Sequence, residues 1–179
     1  MSKTTLFDCV LNRTQPIHFW SSHEIIETWL PDAILAKARN ISIQMLDLGV
    51  TTGDCIALIL PTEIDLVTNL LATWSCRAYV CIIPYALSES VTKFDVSKIS
   101  YIFELLQPKL IIHDRAELNP FTQTKAQKIH CKQWSETKFS AHFPGRPQAD
   151  DLAIIQLTSG STAHPKGVIL KHSHILANM

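Results

Sequence analysis

Neither sign of charge is in excess in this sequence. Its 179 residues carry 16 Lys plus Arg against 16 Asp plus Glu, a formal net charge of zero at neutral pH. A chain without a basic field has little to hold the phosphate backbone of a nucleic acid, and no polybasic patch for a membrane surface. Cysteines are few and unpaired by spacing: Cys9, Cys55, Cys76, Cys81 and Cys131 are odd in number and form no Cys-x-x-Cys pair. Reduced thiols are expected, with Cys55 and Cys81 as small core residues of apolar strands. The most apolar stretch, Leu66 to Pro84, is broken by Asn69 and Arg77, so no membrane span is expected. Met1-Ser2-Lys3-Thr4-Thr5 lacks the long apolar core of a secretory leader, and a cytoplasmic location is the default expectation. There is no internal repeat and no low-complexity tract. His172 and His174 stand without a Cys or carboxylate cluster at ligand spacing, so no metal site is expected. His18, His23, His130 and His142 read as surface residues. The scattered Trp20, Trp29, Trp74 and Trp134 read as core or interface packing, not as a stacking platform.

What is present is ordinary globular composition, 46% apolar and 18% charged, enough for one sound core. From about Asp32 to Leu48, the residues Ile34, Leu35, Ala38, Ile41, Met45 and Leu48 recur at helical spacing, with Pro31 near the start and Gly49 placed to stop the helix. A strand follows Gly53-Asp54 as far as Pro61. Glu63 to Trp74 then returns to helical spacing through Ile64, Val67, Leu70, Leu71 and Trp74, and Ala78 to Pro84 is an apolar strand. Val96, Ile99, Ile102, Phe103 and Leu106 mark another amphipathic helix, ended by Gln107-Pro108 before a strand from Lys109 to Ile112. Alternating strands and helices predict an α/β fold with a mostly parallel sheet covered on both faces. The polar stretch 114–148, with Pro120, Pro144, Gly145 and Pro147, reads as an irregular surface excursion holding one short strand or helix at most.

Chemistry concentrates near the carboxyl end. Leu152 to Leu157 is apolar enough for a buried strand and Val168 to Leu170 is a second short strand. Between them lies Thr158-Ser159-Gly160-Ser161-Thr162-Ala163-His164-Pro165-Lys166-Gly167. Hydroxyls and successive backbone N–H groups, glycines that permit close approach, and one mobile ammonium suit a polyphosphate. A Walker A loop is excluded. It requires glycine before its lysine and Ser or Thr after it, where this chain has Pro165 and Gly167. Composition alone would also fit an ordinary polar hairpin; the ordered series of residues favours the phosphate loop.

That series resembles the phosphate-loop signature of the adenylate-forming superfamily, which usually reads Thr-Ser-Gly-Ser-Thr-Gly-x-Pro-Lys-Gly-Val. Ala163 is the one departure from its fixed positions, standing where the family has glycine. Leu48 to Pro61 resembles an earlier segment of the same family. The flanks at 151–156 and 171–178 resemble its fatty acyl-AMP ligase branch, with acyl-CoA synthetases close by. The resemblance runs from Ala33 to Met179 and is strongest at 33–112 and 150–179. The family's Ala-Gly-Ala turn is Cys76-Arg77-Ala78 here, and the sequence alone assigns Arg77 no role.

The resemblance implies the amino-terminal part of the family's large domain, hence an incomplete AMP-binding domain across 1–179. It implies a parent reaction in which a carboxylic acid, expected to be a fatty acid, and ATP give acyl-AMP and pyrophosphate. The acyl group then passes to coenzyme A or a carrier-protein thiol. Thr158, Ser159, Gly160, Ser161, Thr162, Lys166 and Gly167 would grip the ATP phosphates, with His172 as a secondary candidate. The family's magnesium ligand, adenine and acyl sites and closing-domain lysine lie further along than Met179. No catalytic residue is therefore assigned within this chain, and activity of the chain alone is not expected. Met179 reads as falling within a helix, which suggests truncation. A non-catalytic remnant binding another chain is the alternative reading, and a complete small enzyme is a third.

Overall fold

Period-two and period-3.6 patterns are realised almost where the sequence places them. The computed structural model describes residues 4–21, 23–83, 93–114, 124–136, 140–158 and 166–179, with side chains of 93–98 outside that set. Helix α1 (Leu6–Leu11) begins in a reciprocal cap: Asp8 N donates to Thr5 Oγ1 at 3.2 Å and Thr5 N to the Asp8 carboxylate at 2.8 Å. Strands β1 (Ile17–Ser21) and β2 (Glu24–Trp29) form a separate antiparallel pair. Helix α2 (Pro31–Asp47) starts on its proline and ends at Gly49 with φ 78°. Gly49 N reaches Leu46 O and Val50 N reaches Met45 O, a Schellman closure.

The central sheet follows from β3 (Cys55–Ile59), α3 (Ile64–Ser75), β4 (Tyr79–Ile82), α4 (Lys93–Leu106), β5 (Leu110–His113), β6 (Gln127–His130), β7 (Leu152–Thr158) and β8 (Lys166–Lys171). Among the described residues its order is β6-β5-β3-β4-β7-β8, parallel throughout except for the antiparallel β7–β8 hairpin. Every residue of β3 is buried, as a parallel strand covered on both faces requires. Alternation divides it between two cores. Ile56 and Leu58 meet Ile41 and Met45 of α2 and Ala72 of α3, while Cys55, Ala57 and Ile59 meet Ile99, Ile102 and Phe103 of α4. A third cluster joins Phe7, Phe19, Ile34, Leu35, Trp74 and Ala153 beside the start of β7. The expected α/β architecture with its mainly parallel, helix-flanked sheet is therefore realised.

Several expectations need correction. The stretch 114–148 contains both a strand and a one-turn 3-10 helix (Cys131–Gln133), not one element at most. The pairing of β6 with β5 decides this, since register partners such as His113↔His130 satisfy a strand whose own pattern is weak. Trp20 is 64% exposed, while Trp74 is buried. His130 is not a bare surface residue: its ring packs edge-on against buried His113 at 5.3 Å. The last helix, α5 (His172–Leu176), closes at Ala177, so Met179 lies past its end. The expected apolar side chain of Val96 falls outside the described residues. Cys55 and Cys81 are core residues, as read, and burial pushes both thiols up to about 12.

Candidate functional site

The β7–β8 hairpin is longer than its sequence pattern suggests. The antiparallel ladder runs from Leu152↔Lys171 at the base to Thr158↔Lys166 at the tip, so Thr158, Lys166 and Gly167 are strand residues and not loop residues. The physical reason is that cross-strand hydrogen bonding extends a ladder through polar residues which no hydrophobic alternation marks. Thr158 and Lys166 are exposed, and Thr158 Oγ1 donates to the Lys166 carbonyl at 3.3 Å. The sequence-assigned Ser159, Gly160, Ser161 and Thr162, together with Ala163, lie outside the described residues. Gly167 is needed for packing: a Cβ there would stand 2.9 Å from Ile155 Cγ2, inside ordinary contact distance. The tip thus pairs Thr158 with Lys166 at the carboxyl end of a strand that runs parallel to β4, the usual edge for ligands in α/β sheets.

His172 is placed elsewhere. It is the first residue of α5, at the hairpin base, separated from Lys166 by the length of β8. It is fully buried, stacked edge-on against Trp74 at 5.1 Å, and neither ring nitrogen has a hydrogen-bond partner. Burial lowers its pKa from 6.5 to about 4, against partial opposition from the Asp151 and Asp8 carboxylates. Its position makes it a core histidine and keeps it from the tip. Among the described residues, no three His, Cys, Asp or Glu side chains gather in a group that could hold a metal ion.

Three polar arrangements escape sequence reasoning. Asp65, in the first turn of α3, is buried and receives Lys37 Nζ at 2.6 Å and Lys132 Nζ at 2.8 Å. Although burial alone would raise its pKa, those two ammoniums hold the carboxyl below its ordinary value. Arg77 grips Asp151 with both arms, Nε to Oδ2 at 2.8 Å and Nη2 to Oδ1 at 2.9 Å. That guanidinium is the main reason the Asp151 carboxyl also sits low. Trp74 Nε1 donates to Ala153 O at 3.0 Å, where the β7–β8 register shifts between Leu152 and Ile154. Only the oddity of Cys76-Arg77-Ala78 hinted at any of these in the sequence.

The family model described as AMP-binding enzyme matches residues 33–179, and the chain belongs to that family. It is 26% identical over 144 residues to a hybrid PKS-NRPS synthetase of Pyrenochaetopsis sp, covering 79% of this chain and 4% of that protein. It is 50% identical over 65 residues to long-chain-fatty-acid–CoA ligase 1 of Saccharomyces cerevisiae, covering 36% of this chain and 9% of the ligase. Its fold is that of a fatty acyl-adenylate ligase from L. pneumophila solved with acyl adenylate and pyrophosphate. There the TM-score is 0.76 at 21% identity, over 97% of this chain and 31% of the ligase. The chain therefore spans a small part of the length of the proteins it matches.

Proposed function

We propose that this chain supplies the phosphate grip of an ATP-dependent acyl-activating ligase. The observation that carries the reading is the hairpin tip, where Thr158 and Lys166 are register partners with Ser159, Gly160, Ser161 and Thr162 between them in the sequence. No Asp or Glu occurs from Thr158 to Gly167, and the donors proposed for the phosphates there are hydroxyls, backbone N–H groups and the Lys166 ammonium. That set fits phosphate oxygens and offers no carboxylate to magnesium. A magnesium ion accompanying ATP would supply further positive charge to the phosphates.

In the proposed reaction a carboxylate oxygen attacks the α-phosphorus of ATP. The bond from that phosphorus to the bridging oxygen breaks, and pyrophosphate leaves with the electron pair. Thr158, Ser159, Ser161 and Thr162 would hold the β- and γ-phosphates by their hydroxyls. Gly160 and Gly167 would keep the backbone close to them, and Lys166 would offset the charge gathering on the leaving group. A fatty acid is the proposed substrate, supported by the match to the yeast ligase and by the fold of the L. pneumophila enzyme. Coenzyme A or a carrier-protein thiol is the proposed acceptor, and the cytoplasm the proposed location. The chain alone is expected to bind polyphosphate without forming acyl-adenylate.

Titration of the chain with pyrophosphate, followed by amide NMR, tests the grip. Shifts centred on Thr158 to Gly167 are expected, with affinity weakened by about tenfold or more in Lys166→Ala. Shifts elsewhere only, or a Lys166→Ala variant that binds equally well, would sink the reading. Pyrophosphate exchange into ATP by the chain with a long-chain fatty acid, above the Lys166→Ala background, would overturn the expectation of inactivity.

A further inference from the structure

We propose that Arg77 is a positioning residue that aims the β7–β8 hairpin, acting through Asp151; the functional part of this inference rests on the tip being the phosphate grip. The clasp starts at the carboxyl end of α3. Arg77 N donates to Trp74 O at 2.9 Å and Ala78 N to Thr73 O at 3.2 Å, a Schellman closure whose left-handed position is Arg77 itself, at φ 56°. Glycine occupies that position without strain, whereas a side chain there is strained. The equivalent position after α2 is Gly49. An arginine held in this conformation requires a compensating interaction, and its two-armed contact with Asp151 is one.

Asp151 is a peg for both strands of the hairpin. It immediately precedes β7, its carboxylate also accepts Gln148 N at 2.8 Å, and its carbonyl accepts His172 N at 3.3 Å just beyond the end of β8. One carboxylate and one carbonyl thus fix where the chain enters and leaves the hairpin. Arg77 connects that peg to the sheet interior, since its own carbonyl accepts Gly53 N at 3.0 Å before β3. Trp74, on the same helix end, holds the Ala153 carbonyl. The carboxyl end of α3 therefore clasps the hairpin base.

The base matters because beyond Ile155 the hairpin leaves the parallel ladder and keeps the packing of Leu157 on the core beside its own cross-strand bonds. Among the described residues β7 meets β4 only at Val80↔Ile154 and Cys81↔Ile155, and Gln156 to Thr158 pair with β8 alone. Thr158 stands about 10 Å along the strand from Ile155 at about 3.3 Å per residue, so a tilt of about 6° there moves it by about 1 Å. A displacement of about 1 Å is enough to spoil alignment at a reacting centre.

The test uses Arg77→Gly, which relieves the left-handed backbone while removing the clasp, beside Arg77→Lys and Asp151→Asn. Amide hydrogen exchange is read at 156–158 and 166–168 and compared with β3 and β5. The expected result for Arg77→Gly is exchange about tenfold faster at the hairpin tip, with β3, β5 and the melting temperature close to wild type. Asp151→Asn should match it, the double variant should be no worse than either single one, and Arg77→Lys should recover only part of the protection. Unchanged tip exchange in Arg77→Gly, or a uniform rise across the sheet, overturns the clasp. Pyrophosphate affinity should fall about tenfold in Arg77→Gly if the tip is also the phosphate grip. Should wild type fail to bind pyrophosphate while the exchange pattern holds, the phosphate reading falls and the positioning role stands.

Discussion

Lowering the pH from 7.5 should destabilise this protein through His172. That ring is fully buried against Trp74 with neither nitrogen hydrogen-bonded, so a proton is accepted far more readily in the unfolded chain than in the fold. With the folded pKa depressed from 6.5 to about 4, the stabilisation is fully present above pH 6.5 and declines as pH falls toward 4. Linkage gives a loss of about 2 kcal/mol between pH 7.5 and 5, rising to about 3 kcal/mol at still lower pH. For a chain of this size that is about 4–8 °C in melting temperature at pH 5. Asp65 and Asp151 have depressed pKa values, so their contributions are lost only at lower pH, below the ordinary carboxylate range near 3.8. Thermal melts at half-unit pH steps, on wild type and His172→Leu, check the argument. The variant should melt at nearly constant temperature from pH 7.5 to 5, because it removes the titrating group and two unpaired polar atoms together. A flat wild-type profile, or an equal decline in His172→Leu, refutes the reasoning.

Other outcomes follow from particular contacts. Gly167→Ala sets a methyl 2.9 Å from Ile155 Cγ2 and should lower stability by about 1–3 kcal/mol in a urea melt; an unchanged midpoint would show that the hairpin can yield there. Asp65→Asn leaves Lys37 and Lys132 without their carboxylate, and because those lysine side chains are 33% and 70% exposed the loss should be only about 1–2 kcal/mol. A chemical melt that does not shift would show that the buried carboxylate contributes nothing net. In a ligase carrying this chain, Ala163→Gly should tighten ATP binding several-fold if the position needs positive φ, worth about 1–2 kcal/mol. Isothermal titration giving identical affinities would make Ala163 a neutral variation.

How much was legible in the sequence depends on how far apart the interacting residues lie. Helix faces such as Ile34, Leu35, Ala38, Ile41 and Met45 were readable because their spacing is itself the signal, and the stop at Gly49 because a left-handed closure is decided within a few residues. The alternation that made a covered parallel sheet the expected fold was likewise legible, whereas the phosphate role of the string from Thr158 to Gly167 is proposed from its contiguous chemistry. What the sequence could not decide was which distant groups would meet. Arg77 and Asp151 are 74 residues apart, and Asp65 joins Lys37 and Lys132 from two other parts of the chain. The weak strand β6 exists because β5 offers it an edge, and His172 becomes a buried neutral imidazole because α3 brings Trp74 against it. Local conformational preference and capping act within a turn or two of the chain, so sequence order carries them. Ion pairs, strand neighbours and desolvation depend on which surfaces the finished sheet and helices bring together, and only the tertiary structure settles that.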